Sequence, residues 1–141
     1  MSKRSRGYCW ESDVVKLLQD DNWWAVRIGG TTTTMPDVSA NKGSTVLAAE
    51  CKSAQTNTAP VPGEQIQRCV DWCNNWGKYT NQIILLAFRF VKTGTKGMGN
   101  LREKREYLKV WDFDRKITNI SCNYDGEIFS EKKKIQLEDF Q

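Results

Sequence analysis

The sequence predicts a mixed α/β fold, one β-sheet with helices packed on it. Three observations carry that prediction. Apolar residues recur at helical spacing in two separate segments; short runs of strand length lie between and after them; and the resulting order is helix, three strands, helix, two strands. The 141 residues suit a single domain over 1–141, with a core over about 6–113 and a less patterned segment over 114–141.

The first helix spans residues 7–21, where Trp10, Val14, Leu17 and Leu18 form an i, i+4, i+7, i+8 stripe. Glu11 lies beside Trp10, on the side of Val14, Val15 and Leu18, so a carboxylate sits at the edge of the face meant for the core. Trp24, Val26 and Ile28 then alternate with Ala25 and Arg27, a strand pattern. Gly29-Gly30 and the four threonines at 31–34 make a turn or loop. A short strand at 36–40, a turn at 41–44 containing Gly43, and a strand at 45–52 read as a hairpin. Residues 53–62, rich in Thr, Asn, Ala and Pro, read as a loop.

The second helix, 63–76, sets Ile66, Cys69, Val70 and Cys73 on one face, and Gly77 is placed to stop it. Residues 82–90 are a continuous apolar run, as in a strand covered on both faces. Residues 93–100, with three glycines, read as an exposed connection and 106–113 as a further strand. Beyond it the pattern thins to small apolar groups at 117–120, 124–129 and 135–140.

Composition removes whole classes of function. Histidine is absent, which excludes Ser-His-Asp and Cys-His catalysis, histidine-ligated zinc and an imidazole base. Acid–base chemistry is left to carboxylates, Lys, Tyr, Cys or a metal-bound water. With 39% hydrophobic residues and six Trp, a packed core is expected rather than disorder. No apolar run approaches the ~20 residues of a membrane span, and the basic start is not followed by the apolar stretch of a signal peptide. Five cysteines form no framework and read as reduced thiols of a cytoplasmic protein. Net charge is +4, yet residues 89–109 alone hold seven basic and two acidic residues. A concentrated basic segment suggests a polyanion partner; a solvated loop explains the charge alone equally well.

The chemistry concentrates in Met35-Pro36-Asp37 and Glu50-Cys51-Lys52. Residues two apart on a strand share a face, so Glu50 and Lys52 project together. Asp37 begins the neighbouring strand, and twelve intervening residues let one strand leave and the next return. Asp37 and Glu50 can therefore lie side by side with Lys52 next to them. Two carboxylates beside a lysine suit a hard divalent cation, since Mg²⁺ takes oxygens from one or two carboxylates, water and phosphate. Lys52 would then orient or deprotonate a metal-bound water, or stabilise charge building on a phosphate. The bland alternative is a surface Glu–Lys pair and a turn-initiating Asp. Placement favours the catalytic reading: a helix with Glu11, a strand, Asp37 at a strand start, then Glu-X-Lys closing the next strand.

Pro36-Asp37 with Glu50-Cys51-Lys52 matches the signature of the PD-(D/E)XK nuclease superfamily, and within it the chain resembles the archaeal-type Holliday junction resolvases (Hjc-like). The likeness opens at Arg6-Gly7-Tyr8-Cys9-Trp10-Glu11 and continues through Ala25-Val26-Arg27-Ile28-Gly29-Gly30-Thr31 and the signature. It reaches Trp76-Gly77 and the apolar strand at 83–90, and so covers about residues 3–92. The resemblance implies a restriction-endonuclease-like mixed central sheet flanked by helices. It implies that Glu11, Asp37 and Glu50 are metal ligands or organise the metal's water, and that Lys52 is the catalytic lysine. A hydroxyl from Thr31, or from its neighbours at 32–34, would replace the family's serine. The implied cofactor is Mg²⁺, with Mn²⁺ able to substitute, and no organic cofactor. The implied action is that of a homodimer making paired nicks in a four-way DNA junction, in an archaeal or viral setting.

Two features depart from the family pattern: a long basic connection at 93–105 and a segment beyond Asp114 without a clear counterpart. Candidate DNA contacts are Arg4 and Arg6 at the basic start, Arg27, and Lys96, Arg102, Lys104 and Arg105 in the connection. Trp23, Trp24, Trp72, Trp76 and Trp111 fall on helix and strand faces and read as core or subunit interface before base-stacking platforms. Two other readings remain open: a nuclease of the same superfamily acting on restriction-like, flap or repair substrates, and a non-catalytic DNA-binding protein on the same fold.

Overall fold

The computed structural model describes residues 3–28, 34–79, 81–92 and 102–130, except the side chains of residues 3–8. Helix α1 (Lys3–Asp20) leads into strands β1 (Trp24–Arg27), β2 (Val38–Lys42) and β3 (Thr45–Ala54). Strand β4 (Thr58–Val61), helix α2 (Gly63–Asn74), β5 (Asn81–Phe90) and β6 (Arg105–Val110) follow, then β7 (Ile120–Asn123) and β8 (Ile128–Ser130). The main sheet has the order β1-β2-β3-β5-β6. Strands β3 and β5 run parallel, while the other neighbours pair antiparallel. This is the mixed α/β arrangement that the order of periodicities predicts.

Side chains alternate along a strand, so β3 divides its residues between two cores. Leu47 and Ala49 join Trp10, Val14 and Leu18 of α1, together with Val38, Ala40, Leu85 and Ala87. Val46 and Ala48 face the other way, against Ile66, Cys69 and Cys73 of α2, together with Ile84, Leu86 and Phe88. Strand β5 contributes to both, as its unbroken apolar run requires. The buried Trp10 indole pins helix α1 to the sheet, donating to the Ala87 carbonyl at 3.0 Å. The Arg89 guanidinium lies over the same ring at 4.4 Å and pairs with Asp13. With positions 10, 14 and 18 turned inward, Leu17 of the sequence stripe is left exposed.

The hairpin forms with a tighter turn than the sequence indicated. Lys42 pairs with Thr45, which leaves Gly43-Ser44 as a two-residue loop. Gly43 supplies the φ of +58° that such a loop needs. In β1 the small residue Ala25 faces α1, while Trp24 and Val26 lie on the opposite face and are exposed.

The loop expected at 53–62 is corrected. Strand β3 runs on to Ala54, and β4 opens a second sheet of order β4-β7-β8. Its inward residues, Ala59, Val61, Ile120 and Cys122, join the core on the α2 side. Pro60 is tolerated because β4 is an edge strand with one paired neighbour. Gly63 marks where α2 starts against this sheet: a Cβ there would lie 3.1 Å from the Thr118 carbonyl carbon. The connection at 93–100 and the apolar group at 135–140 lie outside the described residues.

Arg102 ties the two sheets together. Its Nε donates to the Val91 carbonyl at 3.0 Å, Nη1 to the Thr56 carbonyl at 2.9 Å and Nη2 to the Ala54 carbonyl at 3.1 Å. The guanidinium also packs on the Tyr124 ring at 4.7 Å. Arg102→Ala and Arg102→Lys should each cost about 2–3 kcal/mol in urea unfolding, because an ammonium cannot set three donors on three fixed carbonyls. A lysine variant as stable as the wild type would show that charge alone is needed there.

Candidate active site

Asp37 sits where the β2–β3 ladder ends. Pro36 has no N–H to extend the pairing and is itself buried. Asp37 takes over with both main chain and side chain. Its N–H donates to the Ala49 carbonyl at 3.1 Å, its carbonyl accepts from Ile28 N–H at 2.9 Å, and Oδ2 accepts from Cys51 N–H at 2.9 Å. The carboxylate is thereby fixed beside Glu50, directly across from it in the continuing register.

Glu50 points from β3 toward α2 and has no solvent exposure. An isolated charge cannot be held in such a place, and it is not isolated. Arg68, on α2, donates from Nε to Oε1 at 2.7 Å and from Nη2 to Oε2 at 2.9 Å. The same Nη2 lies 3.9 Å from Asp37 Oδ1, so one guanidinium faces both carboxylates. The Cys69 thiol adds a contact to Glu50 Oε1 at 3.7 Å. Burial pushes the Glu50 carboxyl up to about 7, with the Arg68 hydrogen bond drawing it the other way.

Glu11 reaches the site from the opposite side of the sheet. The Trp10 anchor fixes α1 so that the next residue faces the end of β3. Burial, then the charge of Asp37, push its carboxyl up to about 7, while Arg27 and Lys52 pull it down. Arg27 Nη1 stands 3.5 Å from Glu11 Oε1. Lys52 follows Glu50 by two residues on β3 and so shares its face. Glu11, Asp37, Glu50 and Lys52 are therefore brought to one end of the central strands. Among the described residues no three acidic or thiol groups close into a ready cage. Asp37 and Glu50 nonetheless form a hard-oxygen pair already converging on a cation, a donor set that suits a divalent ion keeping several waters.

Other expected residues divide. Thr31 and Lys96 lie outside the described residues, as do the side chains of Arg4 and Arg6. Lys104 and Arg105 are exposed and carry acidic neighbours, Glu106 and Asp125. Arg102 needs correction: its guanidinium is committed to main-chain carbonyls and serves the fold, so it is not a free phosphate contact. Arg89 is likewise engaged, by Asp13 and Glu106. Sequence reasoning missed Arg68. The available signal was a lone arginine directly before Cys69 in a helix with an apolar face, which reads as solvated until the strand opposite is known to carry Glu50.

Comparison with known proteins bears on this arrangement. The model of the family described as archaeal Holliday junction resolvase (Hjc) matches residues 2–136, and so takes in most of the segment beyond Asp114. The crossover junction endodeoxyribonuclease Hje of Saccharolobus solfataricus is 30% identical over 84 residues, 57% of this chain and 62% of that protein. Its namesake from Sulfolobus acidocaldarius is 27% identical over 131 residues, 91% of this chain and 84% of that protein. Thus the chain spans somewhat under two thirds of the first relative and most of the second. The crystal structure of Archaeoglobus fulgidus Hjc shares the fold with a TM-score of 0.58 at 16% identity, covering 91% of this chain and 93% of that one.

The raised Glu11 carboxyl makes stability depend on pH. In the unfolded chain this group titrates at its ordinary 4.5, in the folded protein at about 7, so the folded state holds a proton that the unfolded state releases between those values. The associated stability is present below about pH 4.5 and is lost as pH climbs through about 7. Glu11→Gln cannot titrate and should reduce the fall in the metal-free urea midpoint between about pH 4.5 and about pH 7, the raised Glu50 carboxyl supplying the rest. Identical slopes for variant and wild type would remove Glu11 as the cause.

Proposed function

The chain belongs to the archaeal Holliday junction resolvase (Hjc) family, and from that premise we propose that it cuts four-way DNA junctions by metal-dependent hydrolysis of phosphodiesters. The observation that carries the proposal is the convergence of Asp37 and Glu50 on a single cation, with Lys52 on the same strand face as Glu50. Asp37 and Glu50, with Glu11 alongside, would hold Mg²⁺ or Mn²⁺, which supplies Lewis-acid assistance to attack of water on the phosphate. Asp37 is a fixed ligand because three hydrogen bonds set its backbone and carboxylate. Lys52 donates to the oxygens on which charge accumulates as the phosphodiester is attacked. Arg27, partly exposed next to Glu11, holds a neighbouring DNA phosphate. Recognition then depends on backbone and junction shape more than on base edges.

We also propose a homodimer, which matches a substrate with two equivalent strands to cut. Its support is an apolar face at the sheet edge. Trp24 is 82% and Val26 58% exposed on β1. They border a groove of about 590 Å³ that Trp72, Trp76 and Tyr79 also line. Exposed aromatic and aliphatic side chains clustered at a sheet edge suit contact with a second copy. Trp24→Arg should shift the protein to monomer in sedimentation without loss of helical signal; a wild type that sediments as monomer would end this reading.

Asp37→Asn and Glu50→Gln should each lower junction cleavage at least about a hundredfold while leaving junction affinity within a few-fold, in single-turnover assays set beside gel-shift titrations. Comparable cleavage of a matched linear duplex by the wild type would point to another substrate class in the superfamily. The absence of any Mg²⁺- or Mn²⁺-dependent cutting would favour a DNA-binding role alone. Neutralising Lys96, Lys104 and Arg105 together should weaken junction binding and lower the log–log salt slope by about one for each phosphate that is no longer neutralised. An unchanged salt slope would place DNA elsewhere.

A further inference from the structure

We propose that Arg68 is the built-in counter-cation of the Asp37–Glu50 pair, and that its guanidinium must leave this pair for a divalent cation to bind, so that Arg68 sets the cation affinity of the site. The inference rests on the metal reading above and deepens it. Glu50 is fully enclosed, so in the metal-free protein its charge requires a partner. Arg68 fills that role with both donors of its fork, on Oε1 and on Oε2, while facing Asp37 as well. A carboxylate oxygen has two lone pairs. On Oε1 one is taken by Arg68 Nε and the other by the Cys69 thiol, so this oxygen has none left for a metal while the fork is in place. A guanidinium and a divalent ion facing the same two carboxylates would also repel each other.

Helix α2 has anchors besides Arg68. Helix α2 is seated by buried Ile66, Cys69 and Cys73, and by the Trp72 indole, which donates to Ser39 Oγ at 3.0 Å. The Arg68 side chain is 18% exposed and so borders solvent, which leaves it a path to swing out while the backbone stays. The alternative role is orientation of Glu50 with the metal bound, and it predicts the opposite result: removal of a ligand's hydrogen-bond partner usually weakens metal binding.

Titration of the metal-free full chain with Mn²⁺, with the free ion counted by its EPR signal, reads affinity without DNA or turnover. Arg68→Gln should bind Mn²⁺ about tenfold or more tighter than the wild type, against the roughly 10–100-fold weakening expected if Arg68 orients Glu50. Arg68→Lys, which keeps the charge and loses the fork, should fall between. In thermal melts Arg68→Gln should unfold below the wild type without Mn²⁺ and gain more from saturating Mn²⁺. Equal or weaker binding by folded Arg68→Gln and Arg68→Lys would overturn the proposal; should the glutamine variant fail to fold, the lysine variant decides alone. Saturable Mn²⁺ binding by none of the three proteins would instead overturn the metal reading, and this proposal with it. Adding Glu50→Gln to Arg68→Gln should erase the gain; a gain that survives would put the ion elsewhere and overturn the proposal.

Discussion

The enclosed carboxylate of Glu50 is the constraint on which the rest of the structure depends. A charge without water must have a partner, and on β3 that partner can come only from what packs on the strand's own face. Arg68 therefore makes the docking of α2 a matter of register as well as of apolar area. A helix displaced by one turn would leave Glu50 unpaired. The enclosed ion pair is held at the expense of stability that an apolar pair would have supplied.

Asp37 imposes a second requirement, on the strand beside it. Two strands that stayed paired to their ends would give Cys51 N–H a main-chain acceptor and leave no room for a carboxylate. Pro36 ends the ladder, and Asp37 Oδ2 accepts the hydrogen bond in its place. Asp37 is thus also a strand terminator, which accounts for a proline-aspartate pair, rather than aspartate alone, at this point.

Much of this was legible in the sequence. Trp10, Val14 and Leu18 mark the buried face of α1, the run at 82–90 marks a strand covered twice, and the spacing from Asp37 to Glu50 and Lys52 brings the acids to one end of the sheet. What stayed hidden has physical reasons. Strands β4 and β7 alternate between small residues such as Ala59 and Cys122, so their period-two signal is faint. Pro60 reads as a loop residue unless β4 is known to be an edge. Arg102 and Lys104 look alike in a basic segment, yet one ends on carbonyls and the other in solvent. Arg68 is the clearest case, because a helical arginine declares its role only through the strand it faces.

The pinning of α1 by Trp10 has a consequence for how this protein can vary. Glu11 belongs to the layer that α1 builds on one side of the sheet, Glu50 to the layer that α2 builds on the other. The distance between these two acids is therefore a reading taken across the sheet. A bulkier or smaller side chain in either layer, far from any carboxylate, changes that reading. A change of packing in either layer then moves one acid relative to the other, so the acidic cluster couples the two layers.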